Sequence, residues 1–195
     1  MRRLKVFKKL VIDSLDVITH GSVKYHLWMA FLTLIMLIGM YCYSIQIEHG
    51  LSVTGMTDRV SWGLYISNFT FLVGVAAAAV MLVMPTYVLK DIDFKQAVLI
   101  GEGLAVAALL MCLAFVVADM GGPSVLWHMI PGIGVFNFPN SMLTWDVIVL
   151  NGYLFLNITI PFYILFRHYQ GKKSKKSVYV PGALISVFWA VAIHL

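Results

Sequence analysis

Residues 96–119 read QAVLIGEGLAVAALLMCLAFVVAD, and this stretch decides what kind of protein the chain is. Glu102 is the single charge inside it, Asp119 closes it, and the rest is apolar or small. A membrane-spanning helix needs roughly 20 predominantly apolar residues, and this segment supplies them. Four more apolar runs surround it, at about 25–47, 60–89, 143–166 and 178–195. The whole chain of 195 residues is 61% hydrophobic and only 12% charged, with a mean hydropathy of +0.88. A soluble domain carries about 25% charged residues. This chain cannot build the polar shell that water demands, whereas lipid solvates its apolar excess. The expected fold is therefore an all-α integral membrane protein, a bundle of about five transmembrane helices.

The net charge of +5 would suit a nucleic-acid partner, but its distribution excludes one. Thirteen of the 14 Lys and Arg fall in alternate connections: Arg2, Arg3, Lys5, Lys8, Lys9 and Lys24, then Lys90 and Lys95, then Arg167, Lys172, Lys173, Lys175 and Lys176. The opposite connections hold Arg59 alone. Basic connections stay cytoplasmic. The N-terminus is thus expected in the cytoplasm, and the first and third loops outside the inner membrane.

Residues 1–23 place Leu4, Phe7, Val11, Leu15 and Ile18 at helical spacing among the N-terminal cations. They lack the compact apolar region of a cleaved signal. They read as an amphipathic helix on the anionic inner leaflet. The expected organisation is this segment, a four-helix bundle over 24–168 with a long outer loop at 120–142, a basic cytoplasmic loop at 169–178, and a fifth helix at 179–195. That last run ends while still apolar, as a fragment of a longer protein would.

Cys42 and Cys112 sit inside apolar runs without a CxxC pattern, which gives no sign of an iron–sulfur, zinc or c-type haem site. His20, His26, His49, His128 and His168 do not lie well inside a span, where a b-type haem would need axial ligands, and His194 near the end of the fifth run is the one exception. Gly74 with Ala76–Ala79, and Gly101, Gly103 and Ala107, offer small faces for close helix packing. Pro85 is expected to kink or end the second helix.

An ionisable side chain at membrane depth is costly and is by default a functional candidate. Glu102 lies about 10 Å into its helix, either as a proton-relay carboxylate or bonded to another helix. Asp119 closes the third span and Asp146 opens the fourth on the same outer side. Asp146 also has a structural reading, as a first-turn carboxylate behind an N-cap at Asn140 or Ser141. Tyr65 and Asn68 share a face of the second helix. Asn151 lies in the outer half of the fourth helix, and Asn157 lies deeper. Together Tyr65, Asn68, Asp119, His128, Asp146 and Asn151 gather polar chemistry at the outer leaflet. They serve either a small polar-headed ligand or a hydrogen-bonded bundle without one. The loop after Asp119 is long, uncharged and rich in Gly, Pro and aromatics up to Ser141. Loops of that length are usually functional, and its apolar character suits the membrane surface or a partner protein.

Several motifs here resemble those of one family. They are Trp62-Gly63-Leu64-Tyr65-Ile66-Ser67-Asn68 continuing to Gly74, Gly101-Glu102, Asp119 with Gly121 and Pro123, Trp127-His128-Met129-Ile130, and Asn137-Phe138-Pro139-Asn140 through Trp145-Asp146 to Asn151-Gly152-Tyr153. In combination they resemble the NrfD-like, or polysulfide reductase, membrane subunits, and most of all the DsrP-type branch of sulfite-reduction-associated DsrMKJOP complexes. Members of that family are considerably longer. One departure is Gly122, where the family usually has Arg.

The resemblance implies a quinone-interacting subunit of a respiratory redox complex that carries no haem or iron–sulfur cluster of its own. It implies exchange of electrons between menaquinone or another quinone and a periplasmic-side iron–sulfur protein, with cytochrome c and other membrane subunits as further partners. Tyr65, Asn68, His128 and Asn151 would then border the quinone. Asp119 and Asp146 would act beside it, and Glu102 would relay protons. Without redox partners, the same carboxylates would instead fit half of an ion or small-solute transporter.

Overall fold

The computed structural model describes residues 2–57, 59–60, 63–81 and 95–193. In lipid a backbone N–H or C=O has no water to bond, so an apolar chain satisfies its peptide groups as helix. The described residues form six helices: α1 Arg2–Thr19, α2 Val23–His49, α3 Leu64–Met81, α4 Lys95–Asp119, α5 Met142–Tyr169 and α6 Lys176–Ala192. Short 3₁₀ turns cover Leu51–Thr54 and Pro123–Met129.

By length and composition α2, α5 and the Ile100–Asp119 part of α4 can each cross a membrane. The apolar stretches Leu64–Ala79 and Lys176–Ala192 are shorter. The inner part of the second expected span, with Pro85 and Lys90, lies outside the described residues, as do Trp62 and His194. The chain is a multi-pass, all-helical membrane protein.

The first segment folds as the helix α1. Its Lys5, Lys8 and Lys9 are exposed, Leu10 is buried, and Phe7 meets Phe162 of α5 edge-on at 6.3 Å. Ser22 caps α2 by accepting from the Tyr25 N–H at 3.3 Å, and the Tyr25 hydroxyl donates back to the Ile18 carbonyl at 2.9 Å. These two bonds set the corner between α1 and α2.

The core lies where α3 packs along α4, with α5 and α6 closing the other side. Ala76, Ala77 and Ala79 of α3 are buried against Ala105, Ala108, Leu109 and Cys112 of α4. Small side chains let the backbones approach, which is the main attraction available when the surrounding solvent is as apolar as leucine. The approach brings Tyr153 of α5 into the core, where its hydroxyl donates to the Ala76 carbonyl at 3.3 Å. The small residues that pack are not all those the sequence singled out. Ala78, Gly103 and Ala107 face outward, and a side chain added at Gly74 or Gly103 would meet nothing within 4 Å. In a helix that is apolar all round, composition marks the small residues but not which of them faces a neighbour.

Gly152 does mark a close approach. The Trp189 indole of α6 lies over it and leaves no room for a Cβ, while Trp189 Nε1 donates to the Val149 carbonyl at 2.8 Å. Gly152→Leu should therefore push α6 off α5. The expected cost is about 1–3 kcal/mol, typical of overpacking, read as a lower melting temperature in detergent. Gly74→Leu, which adds volume in open space, should leave that temperature unchanged.

Candidate functional site

The C-terminal ends of α2 and α4 and the N-terminal end of α3 meet around one amide. Nearly every residue of α2 faces outward, and the exception is Gln46, which is 2% exposed. A buried amide is costly unless both ends are paired, and here both are. Gln46 Nε2 donates to the Ala118 carbonyl at 2.7 Å, and Gln46 Oε1 accepts from the Tyr65 hydroxyl at 2.6 Å. Ala118 lies in the last turn of α4, where its carbonyl loses the partner that a continuing helix would supply and, besides Gln46, accepts a long bond from the Gly121 N–H at 3.4 Å. Gln46 thus satisfies the end of α4 and holds Tyr65 of α3 in place.

Two further polar atoms lie close to this bridge along the chain. Asp119 follows Ala118 directly, and its Oδ1 is buried without a hydrogen-bond partner. A carboxylate at a helix C-terminus also opposes the helix dipole. Tyr43 precedes Gln46 by three residues, on the same face of α2, and its hydroxyl is likewise buried without a partner. The Tyr65 ring packs on Phe115, with centroids 6.1 Å apart, and Phe115 is one turn before Asp119. Tyr65 and Phe115 form an aromatic wall, and Tyr43 and Asp119 lie within one helical turn of the Gln46 bridge along α2 and α4.

The structure brings together only some of the expected site residues. Tyr65 and the Ala118–Asp119 corner are joined through Gln46. Asn68 donates to the Leu64 carbonyl at 2.8 Å, and the exposed Asn151 donates to the Val147 carbonyl at 2.7 Å, each inside its own helix. His128 is half-buried in the 3₁₀ turn between α4 and α5, stacked on Trp127 with centroids 3.8 Å apart. Gly134 packs on the His128 backbone too closely for any side chain, so the loop folds back upon itself there. Asp146 is half-buried in the second turn of α5, beyond the first-turn position expected of it. Ser141 holds the N-cap position, with no side-chain capping bond. The bonds that Asn68 and Asn151 make stay within α3 and α5 and do not reach the Gln46 bridge.

Glu102 is buried, 3% exposed, and lies about 25 Å from Asp119 along α4 at 1.5 Å per residue. The two carboxylates therefore serve opposite ends of one helix. Among the described residues no three His, Cys, Asp or Glu side chains gather as a metal site. Gln46 is not among the residues the sequence singles out. Its signal is that it is the only side-chain amide in the run 25–47, set between Ile45 and Ile47.

Curated proteins to which the chain is similar include two named as subunits of a reductase or oxidoreductase. A selenate reductase subunit of Mesobacillus selenatarsenatis is 28% identical over 121 residues, which cover 62% of this chain and 28% of that protein. The Hdr-like menaquinol oxidoreductase integral membrane subunit of Archaeoglobus fulgidus is 23% identical over 188 residues, covering 96% of this chain and 42% of that protein. The chain thus spans well under half the length of these relatives. No solved structure matches it. The family model for the polysulphide reductase NrfD matches residues 52–195, from the 3₁₀ turn after α2 through α6, and the chain belongs to that family.

Proposed function

We propose that the chain is the quinone-interacting part of a membrane redox complex, with the quinone headgroup bound at the outer ends of α2, α3 and α4. The observation that carries this reading is the buried, unpartnered Oδ1 of Asp119, next in sequence to the carbonyl that holds the Gln46–Tyr65 bridge. Buried polar atoms are nearly always paired, and one left open beside an aromatic wall suits a ligand with a flat ring and polar edges. The relatives support it, since both are named as subunits of a reductase or oxidoreductase and one name specifies menaquinol.

In this reading a hydroquinone at the site gives up two electrons and two protons and leaves as quinone. The electrons pass to a periplasmic-side iron–sulfur protein, the protons to Asp119 and to the outer solvent. The reverse reaction runs through the same groups. Asp146, Asn68, Asn151 and His128 would border the headgroup or its entry path. Glu102 would move protons at the inner end of α4. Further partners would be cytochrome c and other membrane subunits, as in complexes of the DsrP-type branch. Residues 24–168 would form a four-helix bundle and 179–195 a fifth span, with the N-terminus and the 169–178 loop in the cytoplasm.

The outer loop fits a partner on that side. Val125, Trp127, Ile130, Ile133, Val135 and Phe138 are exposed large apolar side chains on a segment without charge. Such a surface suits the interfacial zone or a docked partner protein.

Asp119→Asn should lower quinone-linked electron transfer in the purified complex by about 100-fold, the scale of losing a positioned proton acceptor. Asp146→Asn should cost less. Unchanged rates with both variants would remove the two carboxylates from the site. A cysteine at Ser124 should react with a membrane-impermeant maleimide in intact cells, whereas one at Ser174 should react only after permeabilisation. The opposite pattern would invert the topology and the assignment of an outer site.

A further inference from the structure

We propose that Gln46 fixes the direction of the Tyr65 hydroxyl proton, so that Tyr65 meets a headgroup as an acceptor and the site selects hydroquinone over quinone. This inference rests on reading the outer cluster as a quinone site.

Donor and acceptor chemistry alone sets the direction. A backbone carbonyl only accepts, so the amide nitrogen of Gln46 must face Ala118. Its oxygen then faces Tyr65, and an amide oxygen also only accepts. The single proton of the Tyr65 hydroxyl is therefore committed to Gln46, at 2.6 Å. What Tyr65 has left to offer is a lone pair. The unpartnered Oδ1 of Asp119, when ionised, likewise offers lone pairs only. A hydroquinone carries an O–H donor at each end of its ring and can satisfy such acceptors. A quinone carries a carbonyl acceptor at each end and would set lone pair against lone pair. Tyr43 does not discriminate, because its unpartnered hydroxyl can rotate to donate or accept.

A tyrosine in a quinone pocket would ordinarily be free to donate to the quinone carbonyl. Here the burial of Gln46 on an otherwise outward-facing helix removes that option. Gln46 is a positioning residue, since it acts through Tyr65. The consequence is a site that takes up the reduced ligand and releases the oxidised one.

The test uses the full, detergent-solubilised complex under anaerobic conditions. The probe is 2,3-dimethyl-1,4-naphthoquinone in its quinone and hydroquinone forms, with Kd for each measured by calorimetry. The wild type should bind the hydroquinone more tightly. Gln46→Leu frees the Tyr65 proton and should reduce that preference by about 3- to 10-fold, the worth of one hydrogen bond. Gln46→Glu, protonated in this burial, can donate to Ala118 and accept from Tyr65, and should keep the preference. Tyr65→Phe retains the ring against Phe115 but removes the acceptor, so it should lower the preference as Gln46→Leu does. It carries the comparison if Gln46→Leu fails to assemble. Equal affinity of the two forms for the wild type, or a preference that survives Tyr65→Phe, would overturn the proton-direction inference and leave the quinone reading standing. Binding of neither form to the wild type would overturn both.

Discussion

A side-chain amide pinned between two helices organises the end of the bundle where α2 and α4 finish and α3 begins. In water, α2 would be held to its neighbours by burial of apolar surface. In lipid that force is absent between helices, and α2 buries almost nothing except Gln46. Its attachment at this level rests on the bonds from Gln46 to Ala118 and Tyr65. A hydrogen bond made where water is scarce is both stronger and more costly to break. The same two bonds complete the C-terminal end of α4 and orient a tyrosine. Structure and candidate chemistry are therefore carried by the same atoms.

The middle of the bundle is held differently. There α3 and α4 are joined by alanines and Cys112, with Tyr153 inserted from α5 and α6 seated over Gly152. These contacts need close shape matching and little polarity. The division has a physical logic: a tight small-residue core provides a rigid frame, while α2 is tied to that frame by sparse polar bonding at one end. Glu102 is the exception, a buried carboxylate within the α4 frame and far from the outer cluster.

Much of the fold was legible because lipid imposes its demands through composition. The apolar runs, their basic flanks and the amphipathic first helix all follow from where charge is tolerated. Less legible was the rotation of each helix. Ala78 and Ala79 are chemically alike and adjacent, yet one faces outward and the other inward, and no apolar periodicity separates them. At the site, Tyr65 and Asp119 were legible as polar groups at outer depth. Asn68 and Asn151 looked equally open, but an asparagine in apolar surroundings can bond the carbonyl one turn back, and both do. Gln46 escaped notice because it sits near the end of its run, where a polar residue usually needs no explanation. Only the placement of α2 against α3 and α4 shows that it is buried.

The most direct test of an outer quinone site is photolabelling of the intact complex with an azido-naphthoquinone, with and without excess unlabelled quinone. Such a site predicts competed adducts on peptides from the outer ends of three helices: those containing Tyr43–Gln46, Tyr65–Phe69 and Phe115–Asp119. Competed label confined to the inner side, around Glu102 or the 169–178 loop, would contradict it.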